Sequence, residues 1–315
     1  MRFIFKPGRI SVFIGLIIVC STILESCNIK SEKNASSVNA FDYEAYVADI
    51  ESWQERRIAG LKKNWLSLAG LFLLEEGENT FGADPGCDIV FPNPNTPELI
   101  GKFILNNGKV SMKINPGIEV YNEEEQVQEL EMVNDNAGDP TVLQLGTLTW
   151  YIIKRVDNIY VRLRDSDNPA IEQLTSIEMY PLDTLWRLSA YYEPHMTPKI
   201  IETTTTHGDP SRITSSGAVG FRINGDYYRL DVWALGDSDR FQTIFADGTS
   251  GITTYGAGRF VIVEQSDIGN GYIIDFNKAY NPPCAFTEFA TCPLPPPQNR
   301  LPIRVTAGEK FSGSH

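Results

Sequence analysis

Polar residues in the second half of the chain fall into three stretches whose types could do chemistry. Asp247, Thr249, Tyr255 and Arg259 form the first; Asp275, Asn277, Asn281 and Cys284 the second; Cys292, Asn299, Arg300 and Glu309 the third. Gly248, Gly251, Gly256 and Gly258 surround the first group, as tight turns or a close backbone approach require. If the strands ending at Phe245 and Asn277 neighbour one starting at Arg259, the groups meet at one rim of a sheet. An open rim would be a pocket in which Arg259 fixes a carboxylate or other anion by a bidentate contact, with Asp247 or Asp275 as acceptor or base. A closed rim would be a buried network in which the same arginine pairs with Asp247 or Asp275 while Asn277 and Asn281 cap loop backbone. The candidate ligand-binding set is Asp247, Thr249, Tyr255, Arg259, Asp275, Asn277, Asn281 and Arg300. A metal-independent hydrolase using Asp247 or Asp275 with Tyr255 is the enzymatic alternative, and a module with no ligand site is the third.

Other chemistries have less behind them. Beyond the terminal His315 the histidines are His195 and His207, each beside turn residues, and no CxxC or HExxH occurs, so a metal site lacks ligands and no cofactor is expected. Ser215 and Ser216 precede Gly217 without a G-x-S-x-G elbow, which argues against a serine hydrolase. Asp231, inside the apolar run YYRLDVWAL, must face solvent or a partner. The tract Glu123 to Glu125 reads as a solvated turn. Trp186, Tyr191, Tyr192, Tyr227, Tyr228 and Trp233 lie on predicted strands, where rings on an open face could stack on a carbohydrate, although core packing is the commoner role.

The elements that must position these residues are mostly strands. From Asp42 to Lys63 the apolar positions follow helical spacing, with acids early and bases late to complement the helix dipole. After it come short alternating runs: FILNNGKVSMKI with a hairpin turn at Asn107 and Gly108, VQELEMV, TVLQLGTLTWYIIKR and NIYVRLRD. A second strand-rich half begins near Glu178 with LWRLSAYY, KIIETTTT, AVGFRINGDYYRLDVWAL, RFQTIFAD, GRFVIVEQ and GYIIDFN. The expected fold is mainly β: a short N-terminal helix and β-sandwich over residues 41–170, then a second antiparallel domain, sandwich or barrel-like, over 171–312. The segment DFNKAYNPPCAFTEFATCPLPPPQNRL fits neither period. It carries six prolines from Pro282 to Pro297 and two cysteines eight positions apart, so it reads as a stiff loop in which Cys284 and Cys292 are the candidate disulfide.

Two resemblances bear on these elements. EEGENTFGADPGCDIVFPN, with the strands after it, resembles forkhead-associated domains, small β-sandwiches that often read phosphothreonine. Ala83 stands where that family usually has a phosphate-holding arginine, and the loop NPNTPELIGK lacks its serine and histidine, so the resemblance implies the fold and not phosphopeptide binding. WLSLAGLFLLEEGENTFG, FADGTSGITTYGAGRF, the proline and cysteine segment and the trailing Ala307 to Glu309 together resemble the family catalogued as domain of unknown function 1684, over nearly all of the mature chain. That likeness implies no reaction.

The N-terminus addresses the compartment. Arg2, Lys6 and Arg9 precede an apolar run of about 15 residues, short of the roughly 20 a membrane-spanning helix needs. It ends in Leu24, Glu25, Ser26, Cys27, which resembles a lipobox, with Glu25 an unusual middle residue. Residues 1–26 are thus expected to be a lipoprotein signal peptide, Cys27 the lipidated residue, and 27–40 a flexible tether. An uncleaved anchor helix is the alternative. Ser31, Glu32 and Lys33 are similar to the charged segment after the lipidated cysteine in Bacteroidota-type lipoproteins, which implies outer-membrane anchoring. Without residues 1–26 the net charge moves from −13 to −15, a sign that repels phosphate backbones and anionic headgroups. The expected partners are therefore a membrane, through the lipid at Cys27, and a small polar, anionic or carbohydrate ligand, with no nucleic acid.

Overall fold

Alternation of apolar and polar residues builds the first half. The computed structural model describes residues 41–92, 96–236, 238–266 and 271–313, so the signal segment, Cys27 and the tether lie outside the described residues. Helix α1 (Tyr43–Asn64) leads into eleven strands: β1 (Leu68–Leu73), β2 (Gly77–Gly82), β3 (Ile89–Val90), β4 (Gly101–Asn106), β5 (Lys109–Ile114), β6 (Val120–Asn122), β7 (Glu125–Val127), β8 (Glu129–Met132), β9 (Leu143–Leu145), β10 (Leu148–Arg155) and β11 (Asn158–Asp165). They form a six-stranded sheet, β1-β11-β10-β9-β6-β7, and a five-stranded one, β3-β2-β4-β5-β8. Between them the inward residues pack an apolar core, with Phe81 stacked on Phe103 at 4.3 Å and Trp150 edge-on to Phe81 and Phe91. Asn107 and Gly108 make the expected turn with φ of 50° and 82°. VQELEMV is not one strand: β7 pairs with β6 in one sheet and β8 with β5 in the other, so the chain changes sheets at Gln128.

A short helix α2 (Ala170–Gln173) and an irregular segment lead to the second half. Its strands β12 (Arg187–Thr204), β13 (Pro210–Ile223), β14 (Asp226–Ala234), β15 (Phe241–Phe245), β16 (Arg259–Gln265) and β17 (Tyr272–Asp275) close into an antiparallel barrel. The runs LWRLSAYY and KIIETTTT belong to the single strand β12, bulged between Pro194 and Lys199. Beyond that bulge β12 and β13 leave the barrel as a two-stranded arm. Leu294 N–H donates to Thr204 C=O (2.8 Å) and Thr206 N–H to Cys292 C=O (2.9 Å), so the proline and cysteine loop runs along the arm. At the arm's tip Asp209 accepts from Asn158 (2.9 Å) and the Tyr160 hydroxyl (3.0 Å) on β11, tying barrel to sandwich.

The barrel interior holds Val219, Phe221, Leu230, Val232, Phe245, Val261 and Ile274, capped by Phe276, Leu301, Val305 and Ala307. One seam is incomplete. Strands β14 and β15 pair only at Trp233/Gln242 and Ala234/Phe241, then separate. Asn299 fills the gap: it accepts Asp231 N–H (2.8 Å) and donates to Asp231 C=O, Thr243 Oγ1 and Ile244 C=O, each at 3.0 Å. A side-chain amide there replaces the ladder bonds the strands no longer make to each other.

Candidate functional site

Part of the three polar stretches meets at one end of the barrel, where residues 303–309 cross it. Arg259 opens β16 with no exposed surface, and Gly258 before it has φ of 86°. A Cβ at Gly258 would lie 2.5 Å from Phe245 C=O, so only glycine lets β16 start there. The guanidinium donates to the carbonyls of Ala307, Glu309 (3.3 Å) and Val305 (2.9 Å) and stands 3.5 Å from Asp247 Oδ1, with its face over Phe245. Burial pulls its pKa below the ordinary value, and Asp247 opposes that shift. Asp247 is itself consumed: Thr249 Oγ1 (2.8 and 2.9 Å) and Val305 N–H (2.7 Å) donate to it, and Thr249 also bonds Thr254.

The second group docks the helix. The Tyr46 hydroxyl of α1 reaches Asp275 at 2.8 and 3.0 Å, and Asn277 holds Asp183 C=O (2.8 Å) and the same hydroxyl (3.0 Å). Burial raises the Asp275 carboxyl. Arg57 of α1 meets the buried Glu309 at 3.1 Å and donates to Asn281 C=O at 2.5 Å, while Glu309 accepts Asn281 N–H at 2.7 Å. Burial raises Glu309 as well, with Arg57 opposing. Tyr255 donates to Cys284 C=O (3.0 Å), away from both aspartates' bonds, and Arg300 is exposed.

Of the eight predicted ligand residues, then, Asp247, Thr249 and Arg259 form one closed cluster and Asp275 with Asn277 a second. Asn281 belongs to the Glu309 pair, Tyr255 to the cysteine loop, and Arg300 to the surface. Asn277 lines a slot of about 220 Å³ along α1. The open-rim expectation is corrected to a closed one, because the carbonyls of Val305, Ala307 and Glu309 occupy both terminal nitrogens of Arg259 and leave its buried Nε without a partner. Cys284 and Cys292 are brought into contact as free, buried thiols, Cys284 N–H lying 3.3 Å from Cys292 Sγ. His195 is buried rather than solvated, with Nε2 3.9 Å from Asp231, and Asp231 also accepts from Gln298 (3.1 Å). Among the described residues no group of three or more His, Cys, Asp or Glu is placed to hold a metal, and no helix is long and apolar enough to cross a membrane.

The residues that do face an opening were missed. Between the arm and the barrel wall lies a cleft of about 610 Å³, lined by Pro198, Thr214 and Ser216 on one side and Trp233, Gln242 and Phe260 on the other. Trp233 Nε1 donates to Gln242 Oε1 (3.3 Å), and its ring stands edge-on to Phe260 at 6.4 Å. The Ser216 hydroxyl is buried without a hydrogen-bond partner. The aromatic run containing Trp233 was the one signal of it.

These features define a two-part β protein, a sandwich joined to a barrel whose end is sealed by buried polar groups. The barrel part, residues 172–310, matches the family described as Protein of unknown function (DUF1684). That span is narrower than the likeness read from the sequence, which began at Trp65. The chain is also similar to the solution structure of an uncharacterized protein from gene locus rrnAC0354 of Haloarcula marismortui, with 29% identity, a TM-score of 0.38, and coverage of 46% of this chain and 80% of that one. A second similar structure is the FhaA FHA domain complexed with the intracellular domain of Rv3910, with 17% identity, a TM-score of 0.22, and coverage of 30% and 97%. No curated protein matches the chain.

Proposed function

We propose that this chain is an exported, lipid-anchored protein of the cell envelope whose C-terminal β domain binds a small polar ligand in the cleft between the arm and the barrel wall. The observation that carries the reading is the Ser216 hydroxyl, buried and unpartnered in a cleft walled by an indole. An unmet buried hydroxyl costs about 1–3 kcal/mol, and a ligand oxygen would remove that penalty. A flat apolar wall with hydroxyls opposite is the lining a saccharide ring uses, one face stacking and the edges hydrogen-bonding. Arg212, on the same cleft, offers a cation to an anionic substituent, although Glu202 lies 3.6 Å from it. The hydrolytic alternative gains nothing from the geometry, since Asp247 and Asp275 are both engaged and Tyr255 bonds elsewhere.

Titration of hexoses, short oligosaccharides and sugar phosphates against tryptophan fluorescence tests the reading. Binding should weaken tenfold or more in Trp233→Ala and less in Ser216→Ala, with Arg259→Lys unaffected if it folds. A wild-type chain silent to the whole panel would leave the module without a ligand. The address is tested separately: metabolic labelling with palmitate should mark the outer-membrane fraction and disappear in Cys27→Ser.

A further inference from the structure

The junction between sandwich and barrel holds a second set of reactive groups, remote in role from the cleft. Cys284 sits in the turn Pro283–Ala285, and Cys292 precedes the residues that pair with the arm. Leu68 of β1, Trp65, Ala290, Tyr255 and Phe289 enclose the two thiols, which are 6% and 5% exposed. The backbone on both sides is pinned, Cys284 C=O by Tyr255 and Cys292 C=O by Thr206.

Arg162 of β11, in the sandwich, is near enough to this cluster for its charge to act on Cys292. Val161 and Leu163 beside it point into the sandwich core, so Arg162 points outward, toward the barrel half, yet it is only 6% exposed. Its Nε and Nη2 have no hydrogen-bond partner, and among the described residues no carboxylate lies within ion-pair distance. A buried guanidinium without a counter-ion is a strongly disfavoured state. Burial depresses its pKa, and its charge favours the anionic form of Cys292. The Cys292 thiol, with help from the Tyr255 and Thr206 hydroxyls, lowers Cys284, while Cys284 in turn raises Cys292. Cys284 is therefore the more readily deprotonated thiol of the two.

We propose that Cys284 and Cys292 are a redox-active dithiol, with Arg162 as the counter-ion of its reduced form, and that they exchange with a disulfide of a small thiol or a dithiol carrier. The Cys284 thiolate attacks one sulfur of the incoming disulfide, forming a mixed disulfide and expelling a thiolate. Cys292 gives its proton to that thiolate and attacks Cys284 Sγ, so the mixed bond breaks, the intramolecular bond forms and the second thiolate leaves, taking up a proton from solvent. The protein loses two electrons and the incoming disulfide gains them. A cleft of about 330 Å³ lined by Leu66, Leu68, Phe286 and Phe289 gives an approach, and Leu68 and Phe289 also pack on the thiols. Arg162 acts as a positioning residue that stabilises the thiolate; it touches no reacting bond.

The test uses the full chain, equilibrated natively in graded ratios of reduced to oxidised glutathione, acid-quenched, alkylated in denaturant and mapped by mass. The expected result is one cross-linked peptide joining Cys284 to Cys292, appearing in a single transition. Removing the cation should destabilise the reduced form, so Arg162→Gln needs about tenfold more reducing conditions, near 30 mV, to open the bond, and Arg162→Lys should restore most of the difference. Glutathione should also remain trapped on Cys284 in Cys292→Ser and be absent from Cys292 in Cys284→Ser, a readout independent of whether the Arg162 variants fold. Absence of the cross-link at every ratio, or an unmoved midpoint in a folded Arg162→Gln, overturns the proposal, as does equal labelling of the two single-cysteine variants.

Discussion

The sandwich and the end of the barrel are both closed to water, but by opposite means. In the sandwich Phe81, Phe91, Phe103 and Trp150 fill the space between two sheets, and shape alone sets the fit. At the barrel end Arg259, Asp247, Asn281, Asn299 and Glu309 occupy comparable depth, and each is held by partners distant in sequence. Apolar packing is non-directional and tolerates exchange of equal volumes, whereas buried polar groups must find every partner or lose stability. The first region specifies a core; the second specifies which loops meet.

That contrast can be broken at several strengths. The largest effect is expected from Arg259→Leu, which strands Asp247 and frees three carbonyls; breaking a buried pair in this way costs about 3–5 kcal/mol. Urea unfolding would show it, and a loss below about 1 kcal/mol would mean the end is not held by its charges. Asn299→Ala should follow, at about 1–3 kcal/mol, because it leaves only the Thr243 hydroxyl, which donates to Asp231 C=O at 2.8 Å, to tie the separated β14 and β15 directly at Asp231. Met112→Leu, a change of shape at constant volume in the sandwich, should cost less than about 1.5 kcal/mol. The smallest is Arg300→Ala, within about 0.5 kcal/mol of wild type, since that arginine is exposed.

Acidity offers another lever, because the two regions differ in buried acids. Asp275 and Glu309 have folded-state pKa values above those of the unfolded chain, near about 4, so the native state binds more protons between the two values. The stability they lend is complete below about pH 4 and fades as pH rises through the folded values. Exposed Glu178, lowered by its hydrogen bond to Lys310, works in the opposite sense, losing stability as pH falls. Glu309→Gln should therefore flatten the decline in stability between mildly acid and neutral pH, followed by denaturant midpoints across that range. An unchanged slope would assign the decline to Asp275 alone.

Much of the scaffold was legible in the sequence. The helix announces itself by its apolar period and flanking charges, and the turns at Asn107 and Asn224 by the Asn-Gly pairs that accept positive φ. The arm was not, because Pro194 and Pro198 interrupt β12 and suggest two strands where a bulge carries one. The closure of Arg259 was not legible either, since its partners are backbone carbonyls that any residue could supply. The cleft residues gave even less signal: Ser216 and Gln242 look ordinary until the arm folds over them.

The position of Asn299 and of residues 303–309 also orders events in time. Strand β16 begins at Arg259, yet the carbonyls that accept from it lie 46 to 50 residues later. The seam between β14 and β15 waits likewise for Asn299. The barrel is thus stitched by residues 299–309, and removal of the segment after Arg304 should leave it open to protease where the intact barrel resists.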